Sequence, residues 1–514
     1  MSVRTVLLTL CACVSLASGV LGDAVSIHSM VSGGKVIELA DTRQLTFRED
    51  GDVVGAWISP NGKHLAYQAE HSELGRMCII DSKGGRSRVL MDSWQYAPIM
   101  ENPKIGSEIW YVKARNAAGT FAAWSSDSRY IAFLIRHGMV KPLEDSEDEY
   151  EIDMQEFITV LSVNGNRRAL FQIPKGYRIT GNMLWNDGGT RFAAIFDNYN
   201  QNTSKYEHHI LVFDLASGSI QDLSASEDDF IGCSILRWEN GNKILYKTYN
   251  INKKVRLREI TLDGSHGRVI IDDYGAGNKS PDGLFKLGPG ISVENCATGA
   301  VVDIAKNDTA RFIGWSPNSK FLSYSRHETL SDENKRRERD VSSVWLATPE
   351  AHKLNHMCLA VDSDRGWKQE LSWSSDCMKI AYTCDGRAYV AELTSREPTP
   401  REKAEAGMPL TEEEVKELVV NQAKQIALAI YMNAQDYDDN LPNGDNLQEA
   451  LLPYLKDGDM FYLPGTNKDI FTYFPLGNLG DIKDLATAVT GTMDAGYGWK
   501  VIVYADGHVE TVAK

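Results

Sequence analysis

A ten-residue pattern recurs along roughly the first 380 residues and constrains the fold of this chain more than any other feature. In its clearest copy, Trp315–Tyr324, a tryptophan ends one strand, Ser-Pro-Asn-Ser forms a tight polar turn, and Phe-Leu-Ser-Tyr starts an alternating strand. The other clear copies are Trp57–Tyr67, Trp124–Phe133 and Trp373–Tyr382; the weaker ones are Trp185–Ala193, Trp238–Tyr246 and Ser280–Phe285. The pattern predicts a long series of β-hairpins.

The spacing of the copies is near or above the period of four-stranded propeller blades. A second hairpin segment follows each turn, so seven copies predict a mainly β, seven-bladed β-propeller. The last blade lacks a fourth strand. We expect a strand within residues 36–47 to supply it and so to remove an exposed sheet edge.

These turn motifs resemble the TolB-type propeller repeats of bacterial envelope proteins, over residues 36 to 395. The resemblance implies a propeller fold but does not select one function. Propellers of this kind serve as protein-binding platforms, as accessory domains of serine peptidases and as sugar-acid lyases.

The N-terminal segment, residues 1–22, predicts a secretory signal peptide. Arg4 precedes a short apolar run that is followed by small residues, and no later stretch is long and apolar enough to cross a membrane. We therefore expect a periplasmic or cell-surface protein without a transmembrane segment after signal removal. The residues around Cys13 only faintly resemble a lipoprotein cleavage box, so the sequence does not predict a lipid anchor there.

Composition limits the classes of partner. The net charge of −16 argues against nucleic acid and anionic membranes, because an acidic surface offers them no counter-charge. Six cysteines remain after signal removal, and we expect most of them to be small buried residues. Cys358 lies in the last two predicted blades with Cys377 and Cys384, and the pairing among these three stays open.

Three insertions interrupt the propeller rhythm. An acidic one, residues 144–153, includes Glu147, Asp148 and Glu149; a basic one, residues 334–339, includes Lys335, Arg336, Arg337 and Arg339; a third spans residues 197–206. All three separate the second and third strands of their blades, so they are expected on one face. Because recognition usually resides in loops on rigid scaffolds, the charged residues are our candidates for partner binding. Solvated flexible tips are the alternative interpretation.

Sequence patterns typical of catalysis are absent. There is no Gly-x-Ser-x-Gly elbow, no phosphate-binding loop and no His-Glu-x-x-His helix. His352 and His356 lack the glutamate, and adjacent His208 and His209 should point to opposite faces of a strand. The sequence therefore predicts no catalytic residue and no cofactor, although a propeller enzyme that assembles ligands from several blades stays possible.

Residues 396–410 are charged and contain proline, so they predict an exposed linker. Thr411 and Glu414 then form a capping-box pattern before an apolar stripe at helical spacing, which predicts a helix to about Gln435. Strand-like segments follow, with a hairpin signal at Asp506-Gly507.

Three motifs, Gln425–Pro442, Leu451–Lys456 and Val503–Glu510, resemble the globular head of bacterial type II secretion pseudopilins over residues 411 to 514. This resemblance implies a small α+β pilin-like domain in which a long helix packs on an antiparallel sheet. The chain lacks the pseudopilin leader before this segment and has Leu463 where family heads often carry a cysteine.

Asp436, Asp438 and Asn440 have the alternating oxygen spacing of a calcium loop, and some pseudopilin heads bind calcium. The chain has Leu441 and Leu447 where an EF-hand needs glycine and glutamate. We therefore favour a solvated turn and keep the three residues only as weak calcium candidates.

The sequence predicts four segments: a signal peptide (1–22), the propeller (23–395), the linker (396–410) and the pilin-like domain (411–514). As a function, we expect an exported, non-catalytic scaffold of the bacterial envelope that binds an envelope or secreted protein. The alternative is a propeller-type carbohydrate-active enzyme, a polysaccharide or oligosaccharide lyase.

Overall fold

The computed structural model describes residues 29–71, 74–97, 104–113, 122–143, 146–201, 204–223, 230–250, 255–263, 268–271, 279–288, 290–305, 310–332, 337–350, 356–362, 371–455 and 458–514. The chain divides into two compact units. The first consists mainly of residues 38–349 and 356–394, and the second of residues 30–37, 350–355 and 395–514. The predicted signal peptide and Cys13 lie outside the described residues.

Strands dominate the described part of the chain up to Arg396, which confirms the prediction of a mainly β chain; the first of these strands, Ser29–Ser32, lies mainly in the second unit. They are β1 (Ser29–Ser32), β2 (Lys35–Gln44), β3 (Asp52–Ile58), β4 (His64–His71), β5 (Leu74–Asp81), β6 (Arg88–Asp92), β7 (Glu108–Lys113), β8 (Ala122–Trp124), β9 (Tyr130–Leu143), β10 (Ser146–Ser162), β11 (Arg167–Gln172), β12 (Tyr177–Trp185), β13 (Arg191–Asn200), β14 (Lys205–Asp214), β15 (Ile220–Asp222), β16 (Phe230–Glu239), β17 (Lys243–Asn250), β18 (Val255–Thr261), β19 (Arg268–Ile271), β20 (Phe285–Leu287), β21 (Ile291–Asn295), β22 (Val301–Ala305), β23 (Ala310–Trp315), β24 (Leu322–Asp332), β25 (Arg337–Ala347), β26 (His356–Asp362), β27 (Ser372–Trp373), β28 (Lys379–Cys384) and β29 (Arg387–Arg396). Short 3-10 helices lie at Arg48–Asp50 and Trp94–Tyr96.

Consecutive strands form antiparallel sheets, which we number along the chain: sheet 1 (β3–β6), sheet 2 (β8–β11), sheet 3 (β12–β15), sheet 4 (β16–β19), sheet 5 (β20–β22), sheet 6 (β23–β26) and sheet 7 (β27–β29 with β2 and β1). In sheet 7 the strand order is β1-β2-β29-β28-β27. The N-terminal strand β2 therefore lies beside the last strand of the repeat. This confirms the prediction that a strand from this N-terminal segment joins the last sheet of the repeat.

In six copies the recurring turn joins the first and second strands of its sheet, and in sheet 5 it precedes β20, the first strand described there. In the second copy, the Ser125 hydroxyl donates to the Asp127 carboxylate and accepts from the Tyr130 backbone N–H at 2.9 Å. The fourth turn residue has a left-handed φ in six copies: Gly62, Ser128, Gly189, Gly283, Ser319 and Cys377. In the fourth copy, left-handed φ values fall at Asn240 and Gly241 instead. Small side chains at this position avoid the clash that larger ones would meet.

The repeated tryptophans connect neighbouring sheets. The indole N–H of Trp124 donates to the Trp57 carbonyl at 2.9 Å, that of Trp185 to the Ala123 carbonyl at 3.1 Å, and that of Trp238 to the Leu184 carbonyl at 2.9 Å. Each bond joins the first strands of two successive sheets, so the Trp both packs and fixes the spacing between sheets.

Buried apolar clusters fill the spaces between successive sheets. Distinct clusters lie between sheets 1 and 2, 2 and 3, 3 and 4, and 5 and 6. Phe321 of sheet 6 stacks on Trp373 of sheet 7 with centroids 6.0 Å apart. Sheet 7 in turn packs against sheet 1, where Ala381, Ala388 and Val390 share a cluster with Val53 and Leu65. Last and first sheets thus meet, as they do in a β-propeller.

Strand β7 is an element that the sequence interpretation missed. It pairs with β9 on the same side as β8 and also with β5, so it joins sheets 1 and 2 into one nine-stranded sheet. Leu74, Ile109 and Tyr111 form a small buried cluster around it, with Trp94 packed against them.

The second unit contains three helices, α1 (Pro400–Glu405), α2 (Glu412–Asp436) and α3 (Leu447–Leu451), and four further strands, β30 (Phe471–Tyr473), β31 (Val489–Met493), β32 (Trp499–Tyr504) and β33 (Val509–Ala513). Short 3-10 helices lie at Gly444–Asn446, Gly458–Phe461 and Leu479–Asp481. Thr411 caps α2 in the predicted capping box with Glu414. The strands form one antiparallel sheet in the order β30-β31-β32-β33, and α2 buries its apolar stripe in a core shared with β31 and β32.

The segment predicted as an exposed linker contains α1. Thr399 and Glu402 form a capping box, and Arg396 holds Glu402 through two hydrogen bonds of 2.6 and 2.7 Å. Within the second unit, Ala406 packs with Val31 and Val36. The capping box and the Arg396–Glu402 hydrogen bonds therefore stabilise a helix between β29 and α2, where the charged composition had predicted an exposed linker.

Candidate functional site

Within the described residues, three hairpins of the first unit extend beyond the strands that flank them, and they coincide with the three insertions noted in the sequence. They join the second and third strands of sheets 2, 3 and 6: β9 with β10, β13 with β14, and β24 with β25. In these antiparallel sheets the Ser-Pro-type turns lie at one end of the second strand and the elongated hairpins at its other end. The insertions are therefore strand extensions rather than irregular loops.

The hairpin of sheet 6 contains the basic candidates. Among the described residues, β24 pairs with β23 as far as Arg326 and β25 pairs with β26 as far as Ser342, while β24 and β25 stay paired with each other out to Asp332 and Arg337. Arg339 pairs in register with Leu330 in this projecting part. Lys335 and Arg336 lie outside the described residues.

The hairpin of sheet 2 contains the acidic candidates. Glu147, Asp148 and Glu149 lie in the first part of β10, and pairing with β9 is regular from Tyr150 onward. Nearer the sheet, Lys141 contacts Asp153 at 2.5 Å on the projecting strands. Strand pairing thus supports the base of the acidic segment and, in the basic segment, Arg337 and Arg339.

The hairpin of sheet 3 ends in an exposed aromatic pair. Tyr199 and Tyr206 face each other across β13 and β14, with ring centroids 5.2 Å apart in an edge-to-face arrangement. Their side chains are 48% and 57% exposed. Beside them, the Asn200 amide donates to Glu207 at 2.6 Å. Paired, half-exposed tyrosines on a rigid strand offer a large contact area at low entropic cost, as binding surfaces commonly do.

Two histidines lie below this tip on opposite faces of β14, as the sequence predicted. His208 contacts the Asp197 carboxylate at 2.6 Å, and Thr180 donates to the same oxygen at 3.0 Å. On the other face, His209 contacts Asp222 at 3.0 Å. The two rings are separately held by carboxylates and do not share a site.

Tyr177 completes the second of these arrangements. Its hydroxyl donates to Asp222 at 3.1 Å, and its ring lies 4.7 Å from that of His209. Burial, followed by the nearby Asp222 carboxylate, raises the pKa of Tyr177 to about 12. The phenol thus stays protonated and acts as a donor that fixes the base of the hairpin.

The calcium candidates of the second unit have partners of their own. Asp436 ends α2 and accepts from the Tyr454 hydroxyl at 2.6 Å. Asn478 donates to the Asn440 side chain at 3.1 Å and to the Asp438 carbonyl at 3.0 Å. Among the described residues, no group of three or more His, Cys, Asp or Glu side chains has a geometry that could hold a metal ion.

None of the six described cysteines, including Cys358, Cys377 and Cys384, is in a disulfide bond. Burial raises the pKa of both Cys78 and Cys233 to about 12, so neither forms a thiolate at neutral pH. His356 lies in β26, where burial and then Arg326 lower the pKa of its ring; His352 lies outside the described residues.

The fold and these hairpins define the class of molecule: a chain of repeated antiparallel sheets arranged as in a β-propeller, with three projecting hairpins. No protein-family model and no curated protein matches the chain. Solved structures to which it is similar include an oligogalacturonate lyase from Vibrio parahaemolyticus (9% identity, 72% of this chain and 97% of that one, TM-score 0.42). Others are TolB from Acinetobacter baumannii (13%, 66% of both chains, TM-score 0.30) and a putative TolB from Agrobacterium tumefaciens (13%, 67% and 90%, TM-score 0.28).

At these identities and TM-scores the comparisons assign neither a family nor an activity. In the part of the chain that the structure describes, no helix is both long and apolar enough to cross a membrane.

The tyrosine pair is the feature that sequence reasoning missed. Tyr199 and Tyr206 lie in the third insertion, where the sequence analysis does not pair them. Their positions in the sequence could have indicated the pairing, because the two tyrosines lie equally far from the centre of the hairpin. Continued pairing of the strands then places them opposite each other.

Proposed function

We propose that this chain is an exported, non-catalytic protein-binding scaffold of the bacterial envelope, and that its partner binds the side of the first unit bearing the three elongated hairpins. One observation carries the proposal. Hairpins that project beyond their flanking strands present an exposed Tyr199–Tyr206 pair on a rigid support, and two of the three carry charge of opposite sign. A scaffold with fixed, exposed anchors binds at low entropic cost.

The proposal includes a blade count. Sheets 1 to 7 would form seven blades, and the contact between sheets 7 and 1 supports closure of the ring. Sheets 1 and 2 count as two blades because β7 only bridges them. The second unit would be a pseudopilin-like head; its long α2 on a four-stranded antiparallel sheet supports that resemblance.

The partner would be an envelope or secreted protein with a complementary charge pattern. The acidic candidates Glu147, Asp148 and Glu149 and the basic candidates Lys335, Arg336, Arg337 and Arg339 would orient it. Exposed charges farther apart than about 8 to 10 Å are screened at physiological ionic strength, so their role would be steering rather than mutual pairing. The N-terminal apolar segment supports an extracytoplasmic location.

The test begins with isolation of the partner from envelope extracts on immobilised full chain, followed by association kinetics with the purified partner. Replacing Arg337 and Arg339 with glutamine should slow association about threefold or more at low salt and less at high salt. Replacing Tyr199 and Tyr206 with alanine should weaken affinity about tenfold or more. Neither change should alter the melting temperature.

A matched control replaces Arg167 and Arg168 with glutamine. Both are exposed arginines of β11, the outer strand of sheet 2, and lie away from the hairpin tips. Equal effects of hairpin and control variants would contradict the proposed face. Release of unsaturated sugar from an anionic oligosaccharide by the purified chain would instead favour the lyase alternative.

A further inference from the structure

Helix α2 changes character on its outer face halfway along its length. In the first half, the exposed positions include Glu413, Glu417 and Asn421. In the second half, Leu428, Tyr431 and Met432 are 58%, 38% and 42% exposed. Spaced three and four residues apart, they form one apolar stripe opposite the buried face. Leucine and methionine scattered singly on a surface need no explanation, but a stripe on one helix face indicates an interface.

The sequence of this face is complementary to itself. When two identical helices pack antiparallel about a two-fold axis, residues equally far before and after the axis face each other. For an axis beside Ile430, Leu428 faces Met432 of the other helix, and Gln425 faces Gln435. Lys424 and Asp436, each six residues from Ile430, also face each other. The three pairs in which both residues are exposed thus match apolar with apolar, amide with amide and cation with anion, whereas Tyr431 lies opposite the buried Ala429.

The charges at the ends of the stripe favour this pairing. Lys424 has no acidic residue three or four positions away on α2, because those positions are Val420, Asn421, Ala427 and Leu428. Asp436 likewise has no basic residue in the last turn of the helix. Asp436 also lies at the negative end of the helix dipole, which favours an incoming cation.

We propose that the chain forms a symmetric dimer through antiparallel packing of α2 on α2 of a second copy, with two Lys424–Asp436 pairs flanking a Leu428–Met432 centre. The occupant of the stripe is therefore this chain itself rather than another protein. This goes beyond the proposed function, since it concerns the second unit, and its outcome is independent of partner binding to the hairpins. One helix face is a small interface, so the dimer should be weak, with a dissociation constant on the order of 10 μM.

Sedimentation velocity of the full chain over a range of concentrations tests the proposal. We expect a concentration-dependent dimer that Leu428→Asp abolishes. Lys424→Asp and Asp436→Lys should each weaken the dimer about tenfold, since each removes both symmetric pairs and opposes like charges. The double variant should restore the wild-type constant, because it reverses both charges.

Two controls separate this register from unspecific effects. Tyr454→Phe removes the hydrogen bond that Asp436 accepts within the chain, and Glu417→Lys reverses a charge on the polar half of α2; both should leave the dimer unchanged. Because the altered side chains on α2 are exposed and Tyr454→Phe keeps the aromatic ring, circular dichroism should show folded protein throughout. A chain that stays monomeric, a dimer that survives Leu428→Asp, or single charge changes that the double variant does not rescue would each overturn the proposal.

Discussion

At the scale of single residues, the fourth position of the recurring turn explains an unusual cysteine. Cys377 has a φ of 58°, as Ser128 and Ser319 have values of 62° and 61°, and its thiol accepts the Asn318 backbone N–H. Ser128 and Ser319 accept the equivalent bonds from Asn61 and Asp282, each at 3.0 Å. The conformation, rather than sulfur chemistry, therefore determines which residue fits.

Replacing Cys377 should reveal this requirement. Cys377→Ser should change the free energy of unfolding by less than about 1 kcal/mol, because a hydroxyl accepts the same bond. Cys377→Val should cost about 2 kcal/mol or more, because a β-branched side chain is strained at positive φ and cannot accept a bond. Urea denaturation of both variants measures the difference. Equal stability of the two would contradict a conformational role.

The pH dependence of the second unit should depend on Glu402. The paired Arg396 side chain, opposed by partial burial and aided by Thr399, lowers the pKa of Glu402 to about 2. Its unfolded value is about 4.3, so the charged form contributes stability above that pH and loses it as the pH falls towards 2. Glu402→Gln should therefore lower the melting temperature at pH 7 and have no effect near pH 2. A difference that persists at pH 2 would point to packing instead.

At the scale of elements, the strands that follow the turn motif could be predicted because tryptophan, turn and alternation coincide within ten residues. Strand β7 could not be predicted in this way, because no turn of this kind precedes Glu108–Lys113. Its pairing with β5 also depends on residues that are distant in the sequence. Helix α1 was missed although Thr399 and Glu402 have capping-box spacing, because proline and charge suggested a linker. The projecting tyrosines required knowledge of the strand register.

Glycine permits β7 to pass close to β5. A Cβ atom on Gly75 would lie 2.7 Å from the Val112 backbone oxygen, whereas one on Gly314, also within a strand, would meet no atom within 4 Å. Gly75→Ala should thus destabilise the chain by about 1 to 3 kcal/mol, since backbone must shift. Gly314→Ala should be neutral or slightly stabilising. Thermal unfolding of both variants compares them, and similar losses would show that β7 is not tightly constrained.

At the scale of the whole molecule, the two units follow different rules of prediction. In the first, one motif of tryptophan, polar turn and alternating strand recurs along the chain and predicts the same hairpin in each sheet. Mainly β structure, and an N-terminal strand in the last sheet, could therefore be predicted. In the second, the helix α2 followed from its cap and apolar stripe, but strand β31 did not, because Val489–Met493 contains a glycine and two threonines and few apolar residues. Strand β31 is defined by its pairing with β30 and β32 rather than by its own sequence.

The boundary of the second unit gives the last prediction. Lys403 of α1 contacts Glu414 of α2 at 2.5 Å, and a Cβ on Gly465 would lie 2.9 Å from the Ala404 carbonyl oxygen, so α1 packs closely on the rest of the unit. A fragment of residues 395–514 should therefore melt several degrees above one of residues 410–514, which lacks α1. The physical reason is that the shorter fragment exposes the surface that buries Ala404 and loses the ion pair. Lys403→Gln in the longer fragment is the matched control: it removes only the part-buried ion pair and should cost less than the truncation. Calorimetry of the three proteins measures the melting temperatures. Equal values for both fragments would contradict a structural role for α1. A decrease in melting temperature as large in the control as in the truncation would assign the effect to charge rather than to packing.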